Sequence, residues 1–261
     1  MGYAKGILIL MSINIVGVCG VIILTGFTGL FSLGHAGFMS IGAYVAAILT
    51  KYFGIPFLLS MLIGGLIASL SSLIVGYPTL RGKLKGDYFA IAMMGFAESI
   101  RLLFSNIYPY FNGALGLSGI PLKMNLTTSL IICAIVVYFT FRYLNSQHGK
   151  LLISIREQEV AAELIGVNVT KEKLKSLLIS AFLCGISGGM MAFYYTYMTP
   201  LPELLRAVAR WRLVIYGLLM IIVMLFRPEG LLGNKEISLY PFIKRIKKEK
   251  KVRDVTIKEG K

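Results

Sequence analysis

Seven long apolar runs restrict what this chain can fold into. They cover residues 7–24, 26–50, 57–78, 88–104, 126–144 and 174–198, and a last run that ends at Phe226. A helix of about 20 apolar residues crosses the hydrocarbon core of a bilayer. Only 15% of the 261 residues are charged, against about a quarter in soluble domains. The sequence therefore predicts an all-α, polytopic transmembrane bundle of about seven segments.

The positions of the basic residues predict which ends of these segments share a side. The formal net charge is +15, and the basic residues gather in short stretches at 79–86 and 145–173 and in the C-terminal tail. When crossings are counted between them, all three fall on one side, as the positive-inside rule expects of cytoplasmic segments. The same count places Lys51 and the N-terminus outside.

This distribution gives a domain division and argues against a nucleic-acid partner. We assign residues 1–233 to a transmembrane domain that includes the cytoplasmic loop 145–173. Residues 234–261 form a basic cytoplasmic tail, expected beside anionic membrane lipid. A basic stretch flanking apolar spans is typical of membrane proteins, so no nucleic-acid partner is expected.

The chain lacks the residue patterns of common catalytic and cofactor sites. It has no G-x-x-x-x-G-K-[ST] loop, no H-E-x-x-H and no G-x-S-x-G. His35 and His148 are far apart, and the three cysteines, Cys19, Cys133 and Cys184, each lie alone in an apolar run. We therefore expect no catalytic residues, no metal and no cofactor.

The stretch SLGHAGFMSIGAYVAA, residues 32–47, places glycines, serines and a histidine inside the second apolar run. Glycine-rich backbone is tolerated at membrane depth only inside protein or beside a water-filled cavity. This makes Ser32, Gly34 and His35 candidates for lining a translocation path. For His35 a hydrogen-bonded packing role is the favoured interpretation, and a role in the path is the alternative.

Two further pairs of residues have short helical spacing inside the apolar runs. Glu98 and Arg101 are three apart, which favours an ion pair near the interface, with a place for Glu98 in a path as the alternative. Gly185 and Gly189 form a G-x-x-x-G, which predicts close helix packing.

An amphipathic stretch interrupts the apolar pattern between residues 148 and 176. Its apolar residues recur at helical spacing: Leu152, Ile155, Val160 or Ala161, and Leu164. We predict one helix that ends at Gly166 in a left-handed turn, followed by a second helix with Thr170 as N-cap. Such an element docks into a partner's groove or lies on lipid, and periodicity leaves both open.

Four stretches together resemble the permease subunits of branched-chain amino acid ABC importers, the LivM-type branch. They are GFTGLFSLGHAGFMSIGAYVAA, LRGKLKGDYFAIAMMGFAESIRLLF, SIREQEVAAELIGVNVTKEKLKSLLISAFLCGISGGMMA and YGLLMIIVMLFRPEGLLG, in that family's order and over nearly the whole chain. The resemblance implies a subunit of the bacterial inner membrane that translocates hydrophobic amino acids. It also implies partners: a second homologous permease, two cytoplasmic ABC ATPases and an extracellular substrate-binding protein.

The resemblance assigns the amphipathic stretch a role in coupling to the ATPases. ABC permeases carry an E-A-A-x-x-x-G loop that inserts into a groove of the ATPase. Here Val160, Ala161, Ala162 and Gly166 have that spacing, with valine in place of the glutamate and Glu159 just before it. A bulky substitution at Gly166 is expected to uncouple the ATPase while leaving the protein in the membrane.

The chain departs from the family at one place. Relatives carry a further few dozen residues between the end of run six and LPELLR, and here the two join directly near residues 198–201. Two alternatives to amino acid import remain: a urea or short-chain amide permease, because such permeases share these motifs, and, because of the missing residues, a truncated membrane protein that does not transport.

Overall fold

The computed structural model describes residues 3–82, 86–107 and 113–198, and helices dominate these ranges. Six of the helices in this part of the chain are long and apolar enough to cross a membrane. They are α1 (Tyr3–Val21, continued by a π-helical segment, Ile22–Phe27), α2 (His35–Phe53), α3 (Phe57–Arg81), α4 (Asp87–Asn106), α5 (Leu126–Leu144) and α8 (Val169–Tyr195).

Shorter elements complete this part of the chain. Two short helices, α6 (Gln147–Glu157) and α7 (Glu159–Leu164), lie between α5 and α8. A 3₁₀ turn, Gly113–Leu115, precedes strand β1 (Leu117–Ser118), which pairs antiparallel with β2 (Tyr197–Met198). The prediction of an all-α polytopic bundle is confirmed; the seventh apolar run and the tail 234–261 lie outside the described residues.

The second apolar run is not one continuous helix. Its first residues belong to the π-helical end of α1, and α2 begins only at His35. Residues 28–34, which we call the α1–α2 connection, are non-helical. Gly29 adopts a left-handed φ of +73°, and the Thr28 hydroxyl donates to the Ile23 carbonyl at 2.9 Å. A glycine in this conformation ends the helical pattern although the segment is apolar.

Helix α8 is the central helix of the bundle, and α1, α2 and α3 pack around it. Helix α1 runs antiparallel to α8, because Gly6 near its start lies against Tyr194 and Gly20 near its end lies against Ser180. Hydrogen bonds fix the register: the Ser187 hydroxyl donates to the Ile13 carbonyl at 2.9 Å. Burial on all sides explains why α8 has almost no polar face apart from its first turns.

Glycines bring α2, α3 and α8 into backbone contact. A Cβ at Gly42 would overlap the backbone of Gly185, and one at Gly188 would overlap the Met39 carbonyl. A Cβ at Gly64 would lie 2.7 Å from the Gly42 carbonyl oxygen. Any larger residue at these positions would therefore separate the helices, which is why small residues are needed here.

The two ends of the bundle differ in what they carry. At one end, which we call the short-helix end, α6 and α7 lie together with Gly86 and the first turns of α8. At the opposite end Lys51 donates to the Ser118 carbonyl at 2.6 Å. The described residues that flank the first basic stretch, up to residue 82 and from Gly86 on, thus lie at the same end as 145–173, consistent with the crossing count.

Candidate functional site

The candidate site is built from α6 and α7 at the short-helix end. Helix α6 docks on the bundle through Leu152 and Ile155, which are both buried. The helix does not continue into α7, because Gln158 is extended (φ −155°, ψ 99°). The prediction of a single helix up to Gly166 was therefore wrong. After the break, Ala162 of α7 still packs with Ile155 of α6, but Val160 and Leu164 are exposed and do not lie on the buried face.

Helix α7 ends in a glycine turn that packs back on the helix. Gly166 has a φ of +88°, its N–H donates to the Glu163 carbonyl at 3.0 Å, and the Val167 N–H donates to the Ala162 carbonyl at 3.1 Å. This is the Schellman arrangement, which favours glycine at that position. Val167 packs with Ala162 and Val169, so the predicted left-handed turn is present.

The next helix begins two residues earlier than predicted. Asn168, not Thr170, caps α8: its side-chain oxygen accepts from the Lys171 N–H at 3.1 Å. Both residue types are good N-caps. The glycine turn ends at Val167 and leaves Asn168 as the first residue free to take the capping position.

The break at Gln158 exposes an apolar surface on α7, which we call the α7 patch. Its residues are Val160 (63% exposed), Leu164 (83%) and Ile165 (76%). The periodicity placed Val160 and Leu164 on the face of Leu152 and Ile155, and this was wrong. Ala162 alone of the E-A-A-like residues is buried, and Ala161 is exposed.

An ion pair fastens the start of α7 to α8. Lys173 Nζ lies 2.9 Å from Glu159 Oε2, and the two side chains are only 11% and 24% exposed. Limited contact with water strengthens such a pair relative to one on an open surface. Glu159 therefore connects α7 to the central helix.

Arg156, at the end of α6, joins the short helices to the π-helical end of α1 and to the α1–α2 connection that follows it. Its Nη1 donates to the Gly26 carbonyl at 2.8 Å, and its Nη2 lies 2.6 Å from Glu157 Oε1. Its stem covers Gly29 so closely that a Cβ there would be 2.8 Å from Arg156 Cγ. Sequence reasoning did not identify this residue, because its partner is a carbonyl 130 residues away that the π-helical segment presents.

A cavity of about 130 Å³ lies between these elements. Its walls combine the α1–α2 connection, Gly86 directly before α4, α6, α7 and α8. The lining residues are Thr28, Gly29, Leu30, Gly86, Ile155, Arg156, Glu159 and Lys173. The α1–α2 connection, the short helices and the start of α8 thus meet around one polar space.

The candidate path residues Ser32, Gly34 and His35 lie where the α1–α2 connection enters α2. Ser32 is buried and its hydroxyl accepts from the Gly34 N–H at 3.3 Å. The His35 ring contacts two groups: Nδ1 is 3.2 Å from the Ser32 carbonyl oxygen and Nε2 is 2.9 Å from Ser180 Oγ. Gly34 lies against Met93 of α4. His35 is therefore hydrogen-bonded between α2 and α8.

The remaining predicted site residues lie within the helical bundle. Arg101 Nε donates to Glu98 Oε1 at 2.8 Å, so the predicted ion pair is present in α4. Gly185 lies against Gly65 and Ala68 of α3, and Gly189 against Met61. In the described part of the chain, no three His, Cys, Asp or Glu side chains group to hold a metal ion.

Comparison with known proteins gives one family and three relatives. A family model described as branched-chain amino acid transport system / permease component matches residues 3–225. The high-affinity branched-chain amino acid transport system permease proteins LivM of Salmonella typhimurium LT2 and Escherichia coli K12 are each 26% identical, over 82% of this chain and 66% of their own length. A probable branched-chain amino acid transport permease protein LivM of Methanocaldococcus jannaschii is 20% identical over 69% of this chain and 70% of its own length. No solved structure matches significantly.

The chain is shorter than these relatives inside the matched region as well as overall. It spans about two thirds (66%) of the length of the two enterobacterial proteins. Those alignments extend over 282 positions, more than the 261 residues of the whole chain. The relatives therefore have internal residues that this chain lacks; the junction near residues 198–201 lies at the edge of the described residues.

Proposed function

Because the chain belongs to the family of branched-chain amino acid transport permease components, we propose that it is the membrane-spanning subunit of an ATP-driven importer of branched-chain amino acids. Members of this family are transport components and not catalytic enzymes, so ATP hydrolysis belongs to partner subunits. The names of all three relatives support the substrate class over urea or short-chain amides. The proposed location is the inner membrane, with the short-helix end cytoplasmic.

The α7 patch carries this proposal. A short helix that exposes Val160, Leu164 and Ile165 at the end of a bundle leaves apolar surface unburied, and a docked partner would cover it. The partner proposed is a cytoplasmic ABC ATPase, one for this chain and one for a second homologous permease. Lipid contact is the weaker alternative, because the exposed part of α7 also carries the Glu163 carboxylate, which anionic lipid would repel.

The contacts behind the α7 patch supply a route from the ATPase to the membrane segments. A displacement of α7 acts on α8 through the Glu159–Lys173 ion pair. Through α6 it would act on the π-helical end of α1, where Arg156 donates to the Gly26 carbonyl, and on the α1–α2 connection, where the Arg156 stem lies against Gly29. That connection leads directly to His35 and its hydrogen bond with Ser180. ATP-driven closure would thus shift the entry of α2 against α8, a form of alternating access.

Reconstitution tests the proposal directly. The chain is placed in proteoliposomes with its cognate ATPases, second permease and binding protein, and leucine uptake and ATP hydrolysis are measured. We expect leucine, through the binding protein, to stimulate both. The matched control contains ATPases that cannot hydrolyse ATP, and it should show no uptake. Stimulation by urea and not by leucine would contradict the substrate assignment.

A second function, assembly without transport, is favoured by one observation. The relatives have internal residues that this chain lacks, and a missing part of the bundle would leave the path incomplete. Under this alternative the ATPases still bind, since α6 and α7 are complete, but leucine stimulates neither hydrolysis nor uptake. The reconstitution therefore distinguishes the two functions.

A further inference from the structure

We propose that the groove between α5, α6 and α8 at the short-helix end binds one anionic phospholipid. The groove has a volume of about 250 Å³ and is lined by Tyr143, His148, Lys175, Leu178 and Ile179. Leu178, Ile179 and the Tyr143 ring offer water almost no hydrogen bonds, so an acyl chain fits the interior better than water does.

The groove lies where both long helices change from apolar to charged sequence. Helix α8 has four charged residues between Lys171 and Lys175 and none from Ser176 to its end. Helix α5 likewise ends one residue after Tyr143. This places Leu178 and Ile179 at the depth of acyl chains and Lys175 at the depth of phosphate groups.

The rim of the groove presents the Lys175 ammonium, which can donate hydrogen bonds to a phosphate or an ester oxygen. Glu172 orients two of the rim groups, with Lys175 Nζ at 2.7 Å from one carboxylate oxygen and His148 Nδ1 at 3.1 Å from the other. The Lys175 and His148 side chains are half exposed, at 51% and 50%. An ammonium has three donors, so two of those on Lys175 remain for a ligand.

The Tyr143 hydroxyl gives a second, independent observation. It is buried and has no hydrogen-bond partner among the described residues, although its ring stacks on His148 at 6.4 Å. A buried tyrosine hydroxyl usually finds a partner. A lipid ester or phosphate oxygen in the groove would supply an acceptor. Basic pockets between transmembrane helices are a common setting for anionic headgroups.

Native mass spectrometry of the full chain tests this proposal. The protein is purified in mild detergent and titrated with phosphatidylglycerol or with phosphatidylcholine. We expect one bound phosphatidylglycerol, and Lys175→Gln should lower its affinity about five-fold, the effect of one lysine near an anionic lipid. Tyr143→Phe should lower it a few-fold. Lys171→Gln, which removes an exposed charge from the same helix outside the groove, should leave it unchanged.

Filling the groove gives a second arm that does not depend on charge. Leu178→Trp should abolish the bound lipid of either type. Equal loss with Lys171→Gln and Lys175→Gln, or equal affinity for both lipids, would overturn the proposal. So would a loss of self-association in Leu178→Trp without lipid loss, because the groove would then be an interface between copies. None of these readouts requires transport, so the result is independent of the proposed function.

Discussion

Replacing Gly166 by alanine should weaken ATPase docking through backbone strain alone. Gly166 has a φ of +88°, and a Cβ added there would have no heavy atom within 4 Å. The methyl group therefore meets no steric clash, and the cost is that of a left-handed conformation with a side chain, about 1–2 kcal/mol. That free energy corresponds to about a 5- to 30-fold change in an equilibrium.

The assay is the dissociation constant between the solubilised chain and its partner ATPase. Because the turn positions the α7 patch, Gly166→Ala should raise the Kd by up to about 5- to 30-fold. Gly166→Asn should restore much of the affinity, since asparagine tolerates the left-handed region better than alanine does.

A matched control exists at the opposite end of the bundle. Gly54 ends α2 with a φ of +65°, and a Cβ added there would also meet open space, so Gly54→Ala creates the same strain away from the docking surface. It should leave the Kd unchanged. An unchanged Kd for Gly166→Ala, an equal loss with Gly54→Ala, or no recovery with Gly166→Asn would refute the reasoning.

Three further substitutions test other contacts. Arg156→Gln removes the donor to the Gly26 carbonyl and should speed amide hydrogen exchange in residues 22–34, the π-helical segment and the connection after it; unchanged exchange would show that this contact does not stabilise them. Gly188→Ala should lower the free energy of unfolding, measured by thermal unfolding in detergent, by about 1–3 kcal/mol, because the added methyl group overpacks against α2. Gly95→Ala is the control: a Cβ there meets open space, so it should not lower that free energy. Leu164→Asp should abolish ATPase binding in a pull-down, since it puts a charge in the α7 patch.

The long helices were predictable from sequence because their signal is local. Apolar length alone identifies a membrane-crossing helix, and α3 and α5 match runs 57–78 and 126–144 within a few residues. The left-handed turn at Gly166 was predictable for the same reason, since glycine after an amphipathic helix is a local signal.

The geometry of the candidate site depends on contacts that a periodic pattern does not contain. The sequence spacing of Ile155 and Val160 is that of one helical face. The extended residue Gln158 lies between them, and in the structure Ile155 is buried while Val160 is exposed. The hydrogen bond from Arg156 to the Gly26 carbonyl joins segments 130 residues apart, and it depends on the π-helical segment leaving that carbonyl accessible. Sequence spacing carries no information on either.

The backbone contact of α8 with α2 and α3 has a consequence for how the chain is made. About 90 residues separate the end of α3 from the start of α8, so at roughly 5–20 residues per second the ribosome needs about 5–20 s to supply the central helix. During that time α2 and α3 can pair through Gly42 and Gly64, but the surface meant for α8 faces lipid or the insertion machinery. The helix that organises the finished bundle is therefore the last of the six to arrive, and the earlier helices must remain open to receive it.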